Sequence, residues 1–75
     1  MGSWPRKEYD RPFRDHPPTS PHAPSRAEAK AIGDELGRST GAIVAQWDDA
    51  RSLILGNKTD ASLPLRDYLR DRGWL

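Results

Sequence analysis

Cysteine is absent from the 75-residue chain, which excludes a disulfide framework and any cysteine-based zinc site. Long apolar runs are also missing. None reaches ten residues, against the roughly 20 that a membrane-spanning helix requires. The start, Met1 to Arg14, has charges but no apolar stretch, so it does not read as a secretory signal. The expected compartment is the cytoplasm, or the virion or host cytoplasm for a phage-encoded chain. Net charge is nearly absent as well. Twelve basic and eleven acidic residues leave +1, which excludes a polybasic or strongly acidic chain as a whole. Hydrophobic residues are scarce, at 35% with a mean hydropathy of -0.89. A chain this short buries only about 60% of its unfolded surface, so one small domain is expected and a large enzyme is excluded.

What is present is unevenly distributed. Six of the seven prolines (Pro5, Pro12, Pro17, Pro18, Pro21 and Pro24) lie within the first 24 residues. Proline lacks an amide donor and restricts the residue before it, so residues 1–24 are expected to form an extended, proline-rich arm. One short helical turn is compatible with its start: Ser3 as cap, Pro5 in the first turn, Arg11-Pro12 as the end. The arm also carries Trp4, Tyr9 and Phe13, half of all the aromatic residues, which ordinary linkers lack. Two roles are open for these rings: packing against the rest of the chain, or docking on a partner. Nine arginines against three lysines, with abundant alanine, glycine and proline, match coding from a GC-rich genome, actinobacterial or phage.

From Ser25 onward the pattern is helical, and residues 25–75 are expected to form the folded domain. Ser25-Arg-Ala-Glu28 fits a capping box, in which the serine side chain and the glutamate each satisfy a free helix-end amide. A first helix is expected over about 26–36, burying Ala29, Ile32 and Leu36 and ending at Gly37. A second is expected to start after Ser39 or Thr40 and to end near Leu55. Its stripe of Ile43, Trp47, Ala50 and Ile54 is the strongest periodic signal in the chain, and Leu53 and Leu55 widen it. A third is expected over 64–72, with Pro64 in its first turn, Leu65, Tyr68 and Leu69 inward, Asp67 early and Arg70 and Arg72 late. Gly73 would stop it, with Trp74 packed back on Leu69. The fold class is therefore all-α.

The segment from Ala31 to Trp47 has the spacing of a helix-turn-helix. Gly33 sits where two helices cross, Gly37 falls in the turn, and Ile32, Leu36 and Ile43 supply the apolar positions around them. In such a motif the N-terminal residues of the second helix meet base edges in the major groove.

Leu36-Gly-Arg-Ser-Thr-Gly-Ala-Ile43 resembles the Leu-Gly-Arg-Ser-x-Gly-Ala-Ile signature of small Myb/SANT-like helix-turn-helix modules of bacteria and phages. The resemblance covers about residues 26–55. It implies a three-helix core that binds double-stranded DNA, as a transcriptional regulator or accessory factor. The chain departs from the family pattern in three places, one of them Trp47, which stands where the family has another apolar residue and suits a core role. The first helix of the family usually opens with a tryptophan followed by acidic residues, echoed here only by Trp4 and Glu8. Arginines often follow the isoleucine, where this chain has Val44, Ala45 and Gln46.

The candidate DNA-binding residues follow from this frame. Arg38 is the phosphate contact at the turn. Ser39, Thr40 and Gln46 are base or phosphate partners, with Gln suited to adenine and Ser39 and Thr40 equally suited to capping the helix. Arg6, Arg11 and Arg14 are arm residues that would reach a groove. Charge is thin where it is needed: residues 27–47 sum to -1, and Asp48 and Asp49 follow the recognition segment.

No enzymatic activity, cofactor, metal or small-molecule substrate is expected. His16 and His22 are the only histidines, both in the arm, both expected to be solvated, with no third ligand in sight. Asp48 and Asp49 point about 100° apart on a helix and read as partners of Arg51 or of water. The rival to DNA binding is a protein-interaction or assembly subunit, a homodimer or part of a larger assembly, using the helical core and the aromatic arm. Its basis is a large apolar supply, with Val44 and Leu55 lying off the main stripe of the second helix.

Overall fold

The computed structural model describes residues 4–20, 22–57 and 63–75. They form four helices and, among the described residues, no strand: α1 (Arg6–Asp15), α2 (Arg26–Leu36), α3 (Thr40–Leu55) and α4 (Leu63–Asp71). The all-α expectation holds. The expected extended arm does not describe residues 6–15, which are helical.

The proline-based reading failed at Pro12, which lies inside α1. An interior proline costs a helix about 3 kcal/mol, through the lost amide bond and the clash with the preceding turn. Here Tyr9 and Phe13, one helical turn apart, are both essentially fully buried, and Pro12 is buried beside them. Burying a large side chain contributes roughly 1.5–3 kcal/mol, so two of them offset the proline. Pro5 takes the N-cap position, its carbonyl accepting the Glu8 amide at 2.9 Å. Ser3, the expected cap, lies outside the described residues.

α2 begins as its sequence predicts. The Ser25 side chain accepts from the Glu28 amide at 3.1 Å, and Glu28 accepts from the Ser25 amide at 2.8 Å. Ala29 and Ile32 are buried and Leu36 is packed partly against the same core. α2 ends at Gly37, whose φ of 71° is left-handed. α3 follows after Arg38 and Ser39, with Ser39 as its cap, accepting from the Ala42 amide at 3.1 Å. It buries Ile43, Trp47, Ala50 and Leu53, with Ile54 half-buried. α4 starts at Leu63, one residue earlier than predicted, so Asp67 falls beyond its first turn. Its end matches the prediction: Gly73 has a φ of 78°, and the Trp74 amide donates to the Leu69 carbonyl at 3.0 Å.

All four helices contribute to one core. α2 and α3 form the most extensive pair, and α1 touches each of the other three. The α1–α4 side is aromatic. Tyr9 stacks on Trp4 and lies against Tyr68 with ring centres 5.4 Å apart in each case, and Phe13 meets Tyr68 at 5.8 Å and Trp74 edge-on at 6.2 Å. The Tyr68 hydroxyl donates to Asp10 Oδ1 at 2.6 Å. Trp4, Tyr9 and Phe13 therefore pack against their own chain, and these buried rings are not available to dock on a partner.

The link from α1 to α2 is a proline-rich strap tied to α3. Trp47 Nε1 donates to the His16 carbonyl at 2.8 Å, and Arg51 donates to the carbonyls of Pro18 and Ser20 at 3.2 and 2.6 Å. Arg51 thus ties the strap to α3, and its guanidinium lies 5.8 Å from the Trp47 ring centre.

Candidate nucleic-acid interface

The α2–turn–α3 unit is tight because of one glycine. A Cβ on Gly33 would sit 2.5 Å from the Arg38 carbonyl oxygen, a distance no real side chain tolerates against backbone. The Arg38 amide in turn donates to the Gly33 carbonyl at 2.8 Å. The missing side chain therefore lets the turn close directly onto α2. Gly37 supplies the left-handed residue that closure needs.

This closure leaves the first two turns of α3 with one outward face. Gly41, Val44, Ala45 and Asp48 are exposed and fall at helical spacings of three, four and seven. Their side chains are small or absent except for Asp48. Ser39 is exposed and Thr40 half-buried beside it, both at the N-terminus of α3. Ser39 is committed to capping. Gln46 does not join this face. It lies about 140° round the helix from Gly41, on the flank that turns toward the core, with its Oε1 buried.

Arg38 sits at the turn, as predicted, but is held by α1. Its Nε donates to Glu8 Oε1 at 2.8 Å, and its guanidinium lies 4.6 Å from the centre of the Trp4 ring. The two side chains are 28% and 22% exposed. Arg11 is engaged as well, bonding Glu35 Oε2 through Nε at 2.7 Å and Asp15 Oδ2 through NH1 at 2.6 Å. These carboxylates raise its pKa above the ordinary arginine value, the Glu35 bond contributing most. Arg11 also holds the Asp15 carboxyl below the usual carboxylate range. Arg14 is 69% exposed, its Nε 3.4 Å from Asp15. The side chain of Arg6 lies outside the described residues. Because residues 6–15 form a packed helix, Arg11, paired across to Glu35 of α2, and the exposed Arg14 stand on that helix rather than on a free arm.

His16 is not the solvated residue that the sequence suggests. It caps the C-terminal end of α1, is 15% exposed, and its Nε2 is 3.5 Å from Glu28 Oε2. His22 is exposed. A cavity of about 290 Å³ lies beside His16, lined by Arg11, Asp15, Glu28, Ala31 and Ile32. Its carboxylates are already engaged. Glu28 is held below its usual pKa chiefly by the Ser25 amide, and Asp15 by Arg11. Among the described residues no group of three or more histidine, aspartate or glutamate side chains could hold a metal ion.

Sequence reasoning missed the partners of the two central arginines. The Arg38–Glu8 pair spans 30 residues, and Trp4 and Glu8 lie in a segment whose prolines read as an extended arm. For the Arg11–Glu35 pair, 24 residues apart, the sequence carries no local signal.

No family model matches the chain, and no curated protein or solved structure is significantly similar to it. No helix among the described residues is long and apolar enough to cross a membrane.

Proposed function

We propose that the α2–turn–α3 unit binds double-stranded DNA, with the first two turns of α3 in the major groove. The observation that carries this reading is the outward face of Gly41, Val44, Ala45 and Asp48, presented beyond a turn that Gly33 and Gly37 close tightly. Small side chains let a helix backbone approach a groove closely. Alanine and similar methyl-bearing groups are suited to thymine methyls. Arg38, at the turn, supplies the phosphate contact, and the exposed Arg14 on α1 a second. Thr40 is the hydroxyl at the groove-facing end, and Gln46 has no part in base reading. The role is that of a small regulator or accessory factor, the one the Myb/SANT-like signature implies.

A second reading, a protein-interaction or assembly subunit, has its own observation. Val44 and Leu55 on α3 and Leu63 on α4 are exposed, Leu55 and Leu63 by more than half. In that reading these residues, not the buried aromatic rings, meet a homodimer mate or a larger assembly.

The two readings separate in one assay, fluorescence anisotropy of a labelled random-sequence duplex at low and physiological salt. DNA binding gives saturable binding that weakens along a straight log–log salt line. No binding at low salt leaves the protein-interaction reading, since specific DNA binders also show the non-specific mode.

A further inference from the structure

We infer that Glu8 is a built-in competitor for DNA phosphate, holding Arg38 in an intramolecular pair that must open for full binding; this rests on the DNA-binding reading above. The geometry is asymmetric. Arg38 offers five N–H donors, and its Nε is taken by Glu8 at 2.8 Å while Trp4 covers a face of the guanidinium at 4.6 Å. Nε is half of one of the two edges through which an arginine grips a phosphate bidentately. Glu8 therefore occupies a position that a phosphate oxygen would take.

The exchange is feasible because the pair is only partly buried, at 28% and 22% exposure. Ion pairs that water reaches add little net stability, so releasing Glu8 costs little. Trp4 stays under the guanidinium during the exchange and keeps it at the turn. When phosphate arrives, the displaced carboxylate remains beside it as a like charge. At about 4 Å across water that repulsion weakens affinity by roughly fivefold. The ion pair of Arg11 on α1 with Glu35 on α2 has similar chemistry but is not at the turn, and so serves as an internal control.

The test is duplex-DNA anisotropy on the full chain, comparing wild type, Glu8→Gln, Glu35→Gln, Arg38→Ala and the Glu8→Gln/Arg38→Ala double variant, each shown by circular dichroism to be folded. Glu8→Gln keeps the side-chain shape and an acceptor for Arg38. It is expected to bind roughly fivefold tighter at low salt, with a log–log salt slope steeper by about one phosphate contact. Glu8→Ala, which removes the acceptor as well, should show the same gain. The gain should vanish in the double variant and be much smaller in Glu35→Gln. Equal affinity of wild type and both Glu8 variants, or weaker binding by them, overturns the competitor role while leaving DNA binding in place. A gain of equal size in Glu35→Gln, or one that survives Arg38→Ala, overturns it too, since net charge alone would then explain it. No binding by any of the proteins removes the DNA-binding reading and the competitor with it.

Discussion

α2 and α3 meet across a turn of three residues, Gly37-Arg38-Ser39, and each device that builds the turn lies within a few positions of it. α1 and α4 meet through rings far apart in the chain, Tyr9 on Tyr68 and Phe13 against Trp74. The first pair is specified by local rules: a capping box, a left-handed glycine, a serine cap and a glycine where the turn touches α2. The second is specified by tertiary packing strong enough to hold a helix together through an interior proline. The first pair presents the outward face proposed to read DNA. The second is the mass that holds it, and Trp4 and Glu8 reach the turn from its side.

Breaking the aromatic side should have the largest effect. Phe13→Ala removes a fully buried ring with three aromatic neighbours and is expected to cost roughly 3–5 kcal/mol. In a domain of this size that unfolds much of the population at room temperature, and α1 should be lost with the rest. A thermal melt followed by circular dichroism checks it. If instead only α1 frayed while α2–α3 melted unchanged, the two halves would be independent and the shared core would be refuted.

Gly33→Ala tests the local side. The added methyl meets the Arg38 carbonyl oxygen at 2.5 Å, so α2 and the turn must move apart, at a cost of roughly 1–3 kcal/mol. DNA affinity should fall by more than the stability loss explains, because the turn that presents α3 is displaced. Ser25→Ala should cost less, about 1 kcal/mol, by removing the α2 cap without touching the turn. Its DNA affinity should match wild type wherever both are folded.

Acid provides the smallest and most selective probe. Asp15 and Glu28 both have folded-state pKa values below their ordinary ones, through Arg11 and the Ser25 amide respectively. Groups depressed in this way contribute stability above the unfolded carboxylate pKa of about 4 and lose it as pH falls toward the folded value. The melting temperature should therefore decline below about pH 4.5, and Glu28→Gln should flatten part of that decline. A melt independent of pH across that window would show that these contacts add nothing.

The sequence made α2 and α3 legible almost residue by residue, because their signals are local and periodic. The α4 stop at Gly73 with Trp74 folded back on Leu69 was legible for the same reason. α1 was misread because proline propensity is a local rule and the burial of Tyr9 and Phe13 is not visible locally. For the candidate interface, the position of Arg38 and the capping role of Ser39 could be read in advance. The half-buried position of Gln46, on the flank of α3 that turns toward the core, was not visible from its side-chain chemistry alone. The pairing of Arg38 with Glu8 spans 30 residues and becomes apparent only once α1 is known to be a helix packed beside the turn.

The most direct test of the account is a two-dimensional amide NMR titration of the isotopically labelled chain with duplex DNA at low salt. The account predicts shifts concentrated at the turn and the first two turns of α3, residues 38–48, with a smaller set near Glu8 as Arg38 changes partner. Shifts confined to α4 and the far end of α3, around Leu55 and Leu63, or no shifts at all, would contradict it.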